Sequence, residues 1–337
     1  VTGTGVTYRP EAYNPDLKWE KTTTLNVGLD FGFANNRFTG SEDYYYRKTK
    51  DLLNTIPLAA GVNFATRVMG NIGSLHNTGV EVQLTYRPIQ MKDWRWEVGY
   101  NLTWNKNKID HLVSTDGKPI GNAYAAVGGG GAGAVKAYAE GQAASAFYVY
   151  QQVYDEAGLP IEGEFVDRNG DGVLNEQDKY FYKKADADVV MGFSSKLIWK
   201  KWDFSFSLRA SLNNYMYNSM EANDRANVSP SYVYSNDTWH NVVKYQLPKN
   251  WQYMSNIDSQ SDYFIQNASF LKCDNITLGY SFDRIGKMGI NGRVYATVQN
   301  VFTITKYKGI DPEVFGGYDS AIYPRPFTGI LGVSLNF

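Results

Sequence analysis

Phe327-Thr328-Gly329-Ile330-Leu331-Gly332-Val333-Ser334-Leu335-Asn336-Phe337 is a stretch in which apolar side chains alternate with small or polar ones. Successive side chains of a β-strand point to opposite faces, so one face carries Phe327, Leu331, Val333, Leu335 and Phe337. The pattern therefore predicts a strand. About ten such residues also suffice for one tilted strand of an outer-membrane barrel to cross the hydrocarbon layer.

The same alternation recurs along the chain and predicts about nine spanning strands in an all-β fold. They cover residues 22–33, 37–53, 80–86, 94–105, 192–199, 202–212, 269–282, 293–303 and 327–337. One face of these strands is predicted to meet lipid through Leu25, Val27, Leu29, Trp94, Trp96, Leu331, Leu335 and Phe337. The other face is predicted to line a lumen with Asn26, Asp30, Glu97, Asn101 and Asn336.

The connections between the predicted strands alternate in length. Short turns at 34–37, 88–93, 200–201 and 283–292 alternate with long connections at 54–76, 109–188, 213–267 and 305–326. Antiparallel strands then place all short turns at one end and all long loops at the other, as in outer-membrane barrels. This arrangement predicts that 109–188 is an external loop region without membrane crossings, and that Ala146–Tyr154 lies outside the membrane.

Composition excludes several classes of protein. The 337 residues carry a net charge of −1, which gives no electrostatic basis for nucleic-acid binding. No run of about 18 apolar residues is present, so a transmembrane helix is not predicted. Cys273 is the single cysteine and excludes an intramolecular disulfide framework. The N-terminal residues lack the pattern of a signal peptide, so an exported protein is expected here as a mature chain or a fragment.

A soluble carbohydrate-binding β-sandwich would also show alternating strands. Three features favour the membrane barrel: strand lengths near ten, the asymmetry of the connections, and small or polar residues opposite each apolar face. Nine strands do not close a bacterial barrel made from a single chain, since such barrels have even strand numbers. The chain is therefore expected to be part of a longer transmembrane barrel.

Residues 167–178 match the spacing of a twelve-residue calcium loop. Side-chain oxygens fall at the first, third and fifth positions, a glycine at the sixth and a backbone carbonyl at the seventh. The predicted ligands are Asp167, Asn169, Asp171, Val173, Asn175 and Asp178. Asp178 stands where a longer glutamate is usual, and flanking helices are not evident, so a solvated turn is the alternative interpretation.

Other motifs do not indicate enzyme chemistry. His76, His111 and His240 are isolated in sequence, and Gly128–Gly133 follows no apolar strand, so a flexible loop is predicted there instead of a dinucleotide site. An outer-membrane surface hydrolase would need residues brought together from distant strands. Aromatic residues among amides in the predicted long connection 213–267 suit sugars, peptides or a protein partner, or simply pack the loop. They are Trp239, Tyr245, Trp251 and Tyr253.

Several motifs together resemble the SusC-like family of TonB-dependent outer-membrane transporters. They include Asn14-Pro15-Asp16-Leu17-Lys18-Trp19-Glu20, Asp43–Leu53, Asn71-Ile72-Gly73-Ser74, Asn105–Ile109, Asp167–Gly172, Phe270–Tyr280, Gln299-Asn300-Val301-Phe302 and Tyr323-Pro324-Arg325-Pro326. The resemblance spans residues 1–337. Glu42 departs from it, because an apolar residue is usual at this position of the lipid-facing side.

The resemblance implies that residues 1–337 form the C-terminal part of a 22-stranded barrel, whose N-terminal plug and first strands lie outside this chain. It implies active import of oligosaccharides or peptides across the outer membrane of a Gram-negative bacterium, with no enzymatic step. The implied partners are a SusD-like lipoprotein, the remaining plug-and-barrel part, TonB acting through the plug, and membrane lipid. A dimer of transporter–lipoprotein pairs is also implied.

Overall fold

The computed structural model describes residues 12–58, 61, 65, 67–113, 119–121, 134–224, 234–235, 238–239, 258–285, 290–319 and 322–336. Its strands are β1 (Lys21–Phe33), β2 (Phe38–Pro57), β3 (Arg67–Gln90), β4 (Trp94–Leu112), β5 (Ile120–Gly121), β6 (Ala137–Tyr138), β7 (Ala146–Val149), β8 (Gln152–Tyr154), β9 (Pro160–Phe165), β10 (Tyr180–Lys184), β11 (Val189–Trp199), β12 (Trp202–Leu212), β13 (Tyr215–Asn218), β14 (Tyr234–Ser235), β15 (Thr238–Trp239), β16 (Ile265–Asn267), β17 (Phe270–Ile285), β18 (Ile290–Thr305), β19 (Tyr318–Asp319) and β20 (Thr328–Asn336). Helical segments in this part of the chain are α1 (Ser219–Asp224) and the 3₁₀ turns Glu176–Asp178, Asp258–Gln260, Asp262–Phe264 and Phe315–Gly317. No helix among the described residues is long and apolar enough to span a membrane.

The architecture is dominated by one nine-stranded sheet with the order β1-β2-β3-β4-β11-β12-β17-β18-β20. All eight neighbouring pairs are antiparallel, so the predicted all-β antiparallel fold with about nine long strands is confirmed. Strands β1 and β20 form the two edges of this sheet. The sheet is therefore one sector of a barrel wall, which needs further strands to satisfy its two edges in a membrane.

The connections keep the predicted asymmetry. Short turns at 34–37, 91–93 and 200–201 join strands at one end of the sheet, which we call the turn end, and Ile285 pairs with Ile290 at the same end. Long connections leave from the opposite end, which we call the loop end. At the first turn, Ala34, Asn35 and Asn36 all adopt positive φ angles of 53–60°, and asparagine is among the residues that accept this conformation most readily.

The prediction that 54–76 is an irregular connection is wrong over most of this range. Strand β2 continues to Pro57 and β3 begins at Arg67, with the two strands paired as far as Pro57 and Arg67. The ladder shifts register near Asp51, where φ is 58°. Asn71 stabilises this shift because its side-chain amide donates to the Asp51 carbonyl at 2.7 Å. Residues 54–57 and 67–76, which were predicted to be part of a connection, therefore belong to the paired strands β2 and β3.

Two further boundaries differ from the prediction. Strand β3 continues through Pro88 to Gln90 by means of an irregularity between Tyr86 and Ile89, so the predicted turn 88–93 shortens to 91–93. Strand β4 continues to Leu112, four residues into the predicted loop region 109–188. Within the described part of 113–188, all strands belong to small separate sheets outside the nine-stranded one.

One face of the nine-stranded sheet is apolar and exposed. Cross-strand pairing sets Val80, Trp104, Val189 and Leu212 side by side, and the same register continues along the sheet. Leu25 is 59% exposed, Val27 62% and Leu331 87%. The predicted apolar residues Leu29, Trp94, Trp96 and Leu335 are exposed as well, whereas Phe337 lies outside the described residues.

A soluble sheet would bury this face, because removing apolar surface from water is the main driving force of folding. No second sheet covers it in the part of the chain that the structure describes. The soluble β-sandwich is therefore not the observed architecture. Glu42 lies on this face between Leu29 and Val82, as predicted from its position in the second strand.

Aromatic rings mark the turn end of the apolar face. Trp94 stacks on Trp199 with ring centroids 5.4 Å apart, and Trp202 lies against Tyr280 at 4.8 Å. Trp and Tyr prefer the membrane–water interface, where an apolar ring and a polar group are both accommodated. This band therefore indicates where one membrane interface crosses the sheet.

The opposite face is polar, as predicted. Asn26, Asp30, Glu97, Asn101 and Asn336 all occupy this face in the observed register. Small residues there make room for large neighbours. At Gly332 an added Cβ would lie only 2.2 Å from the Tyr295 ring, so glycine is required for this cross-strand contact.

The hydrophobic core lies at the loop end and not in the sheet. Its buried members are Val135, Phe147, Val149, Tyr217, Ala222, Phe264 and Ile265. They come from several long connections, whose described parts (134–188, 213–224, 258–269 and 306–319) we call the loop body. The sheets β7–β10 and β16–β13–β19 belong to this loop body. The long connections are thus a packed structure of their own.

A charged substitution on the apolar face should destabilise the protein more than the same substitution on the polar face. Phe193 and Ser194 are adjacent in β11, halfway between Trp199 and Val189, and point to opposite faces. In the full-length protein in lipid bilayers, Phe193→Arg should lower the free energy of unfolding by about 2–4 kcal/mol, the cost of arginine near the bilayer midplane. Ser194→Arg should lower it far less. Equal losses in denaturant titrations would contradict the assignment of the two faces.

Candidate functional site

The loop-end half of the polar face is rich in amide and hydroxyl groups. Asn107 donates to the Asn77 side chain at 2.8 Å, and the Tyr45 hydroxyl donates to Asn105 Oδ1 at 2.9 Å. Asn101 and Gln83 lie side by side on the same face and are exposed. An amide offers both donors and an acceptor, so this wall suits uncharged polar ligands.

The loop body is attached directly to this wall. The Ala144 N–H donates to Asn107 Oδ1 at 2.8 Å, and Ile109 exchanges two backbone hydrogen bonds with Gly141 and Gln142. The extension of β4 beyond its predicted end therefore carries the loop body. This position places the loop body directly above the polar face.

A second attachment is a charged cluster that joins the last long connection to the wall. Its members are Arg209, Lys272, Asp274, Asp311, Glu313 and Arg325. Arg209 holds Asp274 at 2.6 Å, and Lys272 holds Asp311 at 2.6 Å and Glu313 at 3.0 Å. Three cations face three carboxylates, so the cluster is electrically balanced. The sequence analysis did not identify it, because Arg209 and Glu313 are 104 residues apart.

Glu313 is the member that contacts most of the cations. Burial acts to raise the pKa of Glu313, but hydrogen bonds and charge from Arg209 and Lys272 outweigh it and lower the pKa to about 2. A carboxylate whose pKa is depressed in the folded state stabilises that state above its unfolded pKa of about 4.3, and this stabilisation disappears as the pH falls toward the folded pKa. Glu313 therefore holds the last connection only while it is ionised.

The predicted calcium loop has the expected backbone shape. Gly170 and Gly172 adopt φ angles of 74° and 77°, and both donate to the Asp167 carboxylate, at 2.7 and 2.8 Å. Asn169 and Asp171 accept from backbone N–H groups two residues further on. These oxygens are of the kind that calcium prefers, so the predicted positions are chemically suitable.

Asp178, the predicted ligand at the twelfth position, also organises the backbone of the loop. It is fully buried, and its two oxygens accept from the N–H groups of Arg168, Asn169 and Asn175. These backbone hydrogen bonds, that of Asn175 foremost, keep the pKa of Asp178 below its usual range. These hydrogen bonds connect the last residue of the loop to its beginning. Among the described residues, no three His, Cys, Asp or Glu side chains form a group suited to hold a metal.

Most of the predicted aromatic loop residues lie outside the described part. Tyr245, Trp251 and Tyr253 are among the residues that the structure does not describe, and Trp239 is described only as the end of β15. Gly128–Gly133 and His240 are likewise outside it. Of the other histidines, His76 contacts Asp110 at 2.6 Å and His111 contacts Glu140 at 2.7 Å, and the two contacts are separate from each other.

Acidification should loosen the last connection. A nitroxide placed at Phe315, which is fully exposed, should gain mobility as the pH falls from about 4.3 toward about 2, because protonation of Glu313 removes its charge from the cluster. Glu313→Gln should show this mobility already at neutral pH. Asp283→Asn, which removes an exposed pair with Lys201 at the turn end, serves as the control. A pH response that survives in Glu313→Gln would contradict the assignment.

Comparison with known proteins agrees with this geometry. The family model described as TonB dependent receptor-like, beta-barrel matches residues 2–214. The TonB-dependent receptor SusC of Bacteroides thetaiotaomicron is 52% identical over 343 residues, which cover 98% of this chain and 33% of the relative. The TonB-dependent receptor P3 of Formosa agariphila is 28% identical over 360 residues, covering 96% and 35%.

A solved structure shows the same architecture. The RagAB peptide transporter superposes on 97% of this chain and 36% of that chain, with a TM-score of 0.76 and 25% sequence identity. The chain thus spans about a third of the length of the relatives that it matches. Three observations indicate an outer-membrane barrel: the family match, the two-faced sheet and the similarity to SusC. The chain is part of such a barrel and belongs to the TonB-dependent receptor-like β-barrel family.

Proposed function

We propose that the full-length protein imports oligosaccharides, or alternatively peptides, across the outer membrane in a TonB-dependent manner, together with a SusD-like surface lipoprotein. The observation that carries this proposal is the two-faced wall of nine strands, apolar outside and polar inside, with a packed loop body at one end. A wall of this kind separates lipid from a polar passage.

In this mechanism no bond of the ligand is broken. The lipoprotein and the loop body capture the ligand outside the cell, and the amide-lined wall below them offers the next hydrogen-bonding partners. Energy reaches the barrel from TonB through the part of the protein that lies outside residues 1–337. The lipoprotein contacts the loop body, and two transporter–lipoprotein pairs associate as a dimer.

The nature of the wall favours an oligosaccharide. Asn101, Gln83 and Asn105 are uncharged, and amides pair with sugar hydroxyls as both donors and acceptors. The peptide alternative is favoured by the similarity to the RagAB peptide transporter. Backbone amides of a peptide would use the same side-chain groups, so the hydrogen-bonding groups of the wall suit either class.

Uptake by cells distinguishes the two ligand classes. Labelled oligosaccharides should enter cells that carry the transporter and its lipoprotein, and should stop entering when the proton gradient is collapsed. Asn101→Ala combined with Gln83→Ala should slow uptake about tenfold, since two hydrogen bonds of roughly 0.5–1.5 kcal/mol each are lost. Lys201→Ala, at an exposed side chain of a turn-end loop, is the control. Uptake of labelled peptides alone would support the alternative, and uptake of neither class would contradict the proposal.

We also propose that calcium stabilises the loop 167–178 through Asp167, Asn169, Asp171, Val173, Asn175 and Asp178. The oxygen donors of the loop support this proposal, and backbone hydrogen bonds to Asp178 bring the two ends of the loop together. The ion is therefore proposed as an additional stabiliser of the loop body, and no step of import is assigned to it.

Calcium titration tests this second proposal. Purified transporter stripped of metal should bind calcium in the range of about 10⁻⁴ to 10⁻³ M, which is typical of extracellular sites. Asp171→Ala should abolish the heat of binding in isothermal titration. Asp155→Ala is the matched control, since Asp155 accepts from Leu159 N in a neighbouring turn at 2.8 Å. Identical heats for wild type and Asp171→Ala would remove calcium from the account.

A further inference from the structure

The lipid-facing side of the sheet becomes basic at the loop end of β1, β2 and β4. Each of these strands carries lysine where its apolar and aromatic residues end. Cross-strand pairing sets Lys21 opposite Lys50, and it sets Lys48 and Lys108 on either side of His76. These strands therefore share one continuous basic surface, which we call the outer lysine patch and which consists of Lys21, Lys48, Lys50, Lys106 and Lys108.

The patch lies just beyond the apolar band. Trp94 and Trp104 are ten residues apart on the lipid-facing side of β4. At about 3.3 Å per residue and a strand tilt of about 40°, they are separated by roughly 25 Å along the membrane normal, which is the height of the apolar band of such barrels. The pairing of β4 with β3 is regular from Trp104 to Lys108, so Lys106 and Lys108 stay on the same side as Trp104. Both lysines therefore reach the level of the lipid headgroups.

One carboxylate contacts the patch. Asp110 lies 3.3 Å from Lys48 Nζ and 2.6 Å from His76 Nδ1. The other four lysines are exposed, and in the described part of the chain none of them has a carboxylate within ion-pair distance. Five lysines and one carboxylate leave four positive charges on this surface, in a chain whose net charge is −1.

Two further carboxylates near the patch are engaged by other groups. Asp188 lies near Lys106, but it is bonded to Lys184 at 2.5 Å. Glu20 precedes Lys21 in sequence, and its carboxylate accepts from the Leu53 N–H at 2.8 Å. The positive charge of the patch is therefore available to a partner outside this chain.

The position of the patch selects the chemistry of that partner. The loop end faces the cell exterior, as long loops do in outer-membrane barrels. Lipopolysaccharide forms the outer leaflet on that side, and its acylated sugars carry phosphate groups at the edge of the hydrocarbon. Lysine binds phosphate as a point charge, and the exposed Trp104 beside the patch offers a ring to the sugars. A two-fold contact centred on the patch would instead bring like charges of two copies together.

We propose that the outer lysine patch binds the phosphorylated sugar headgroup of a lipopolysaccharide molecule, whose acyl chains lie against the apolar band below. The site lies outside the barrel, so no step of import is assigned to it. The patch then fixes lipid at one sector of the wall, on β1 to β4.

Binding of purified lipopolysaccharide to the delipidated full-length transporter tests the proposal. Lys106→Gln combined with Lys108→Gln should weaken binding about 25-fold, because each lysine beside an anionic lipid surface contributes roughly fivefold. Chemically dephosphorylated lipopolysaccharide should bind the wild type and this variant equally weakly. Lys200→Gln combined with Lys201→Gln is the matched control, since both lysines are exposed at the turn end, and it should leave the affinity unchanged.

Photo-cross-linking in outer membranes locates the bound lipid. Thr23 lies on the lipid-facing side of β1 and pairs with Lys48, whereas the adjacent Thr24 points to the polar face. A photo-reactive residue at either position leaves all five lysines intact. Irradiation of the full-length transporter should attach lipopolysaccharide to position 23 and not to position 24. Heat-dependent gel mobility verifies that each variant is folded.

Five results would each overturn the proposal. They are an affinity that does not depend on the phosphates, equal losses in the two pairs of lysine variants, binding of phosphatidylglycerol as tight as that of lipopolysaccharide, equal cross-linking at positions 23 and 24, and a changed oligomeric state of the Lys106 and Lys108 variant. The last result would assign the patch to a contact between copies. Uptake of labelled oligosaccharide is measured separately, so failure of this proposal is distinguishable from failure of the proposed function.

Discussion

The structure depends on one constraint: a backbone inside hydrocarbon must satisfy its hydrogen bonds within the protein. The seven inner strands of the sheet meet this requirement by pairing on both sides, and the apolar side chains then turn toward lipid. The two outer strands, β1 and β20, need partners beyond this sheet. Charged side chains are costly in hydrocarbon, so charged and amide groups of the membrane-facing wall lie mainly on its other face, with Glu42 as an exception.

Because lipid takes the place of a core beneath the sheet, the hydrophobic core forms elsewhere. Phe147, Val149, Tyr217 and Phe264 pack together in the loop body, where water surrounds the protein. This core packs the loop body together, and the charged cluster around Glu313 attaches it to the wall. The long connections are therefore ordered by their own contacts and by contacts with the wall.

The sequence predicts the wall well because its signal is local. In 94–105 the alternation of apolar and polar residues predicts the face on which each side chain lies, and the observed register agrees. The extension of β2 and β3 into 54–76 could not be predicted, since Gly70 and Gly73 are typical of loops and only pairing with a neighbour reveals a strand. The charged cluster could not be predicted from the sequence for a different reason, since its members are far apart along the chain. Asp178 was predicted to be a ligand from its position in the loop, whereas its burial and its backbone hydrogen bonds are visible only in the structure.

The central claim is that successive residues of one strand face lipid and lumen in turn. Nitroxide labels placed one at a time along 94–105 of the full-length protein in bilayers would measure this directly by collision with oxygen, which concentrates in lipid. Our account predicts high oxygen collision rates at Trp96, Val98 and Tyr100 and low rates at Glu97 and Gly99, repeating with a period of two residues. Collision rates that vary smoothly along the strand, without this alternation, would contradict it.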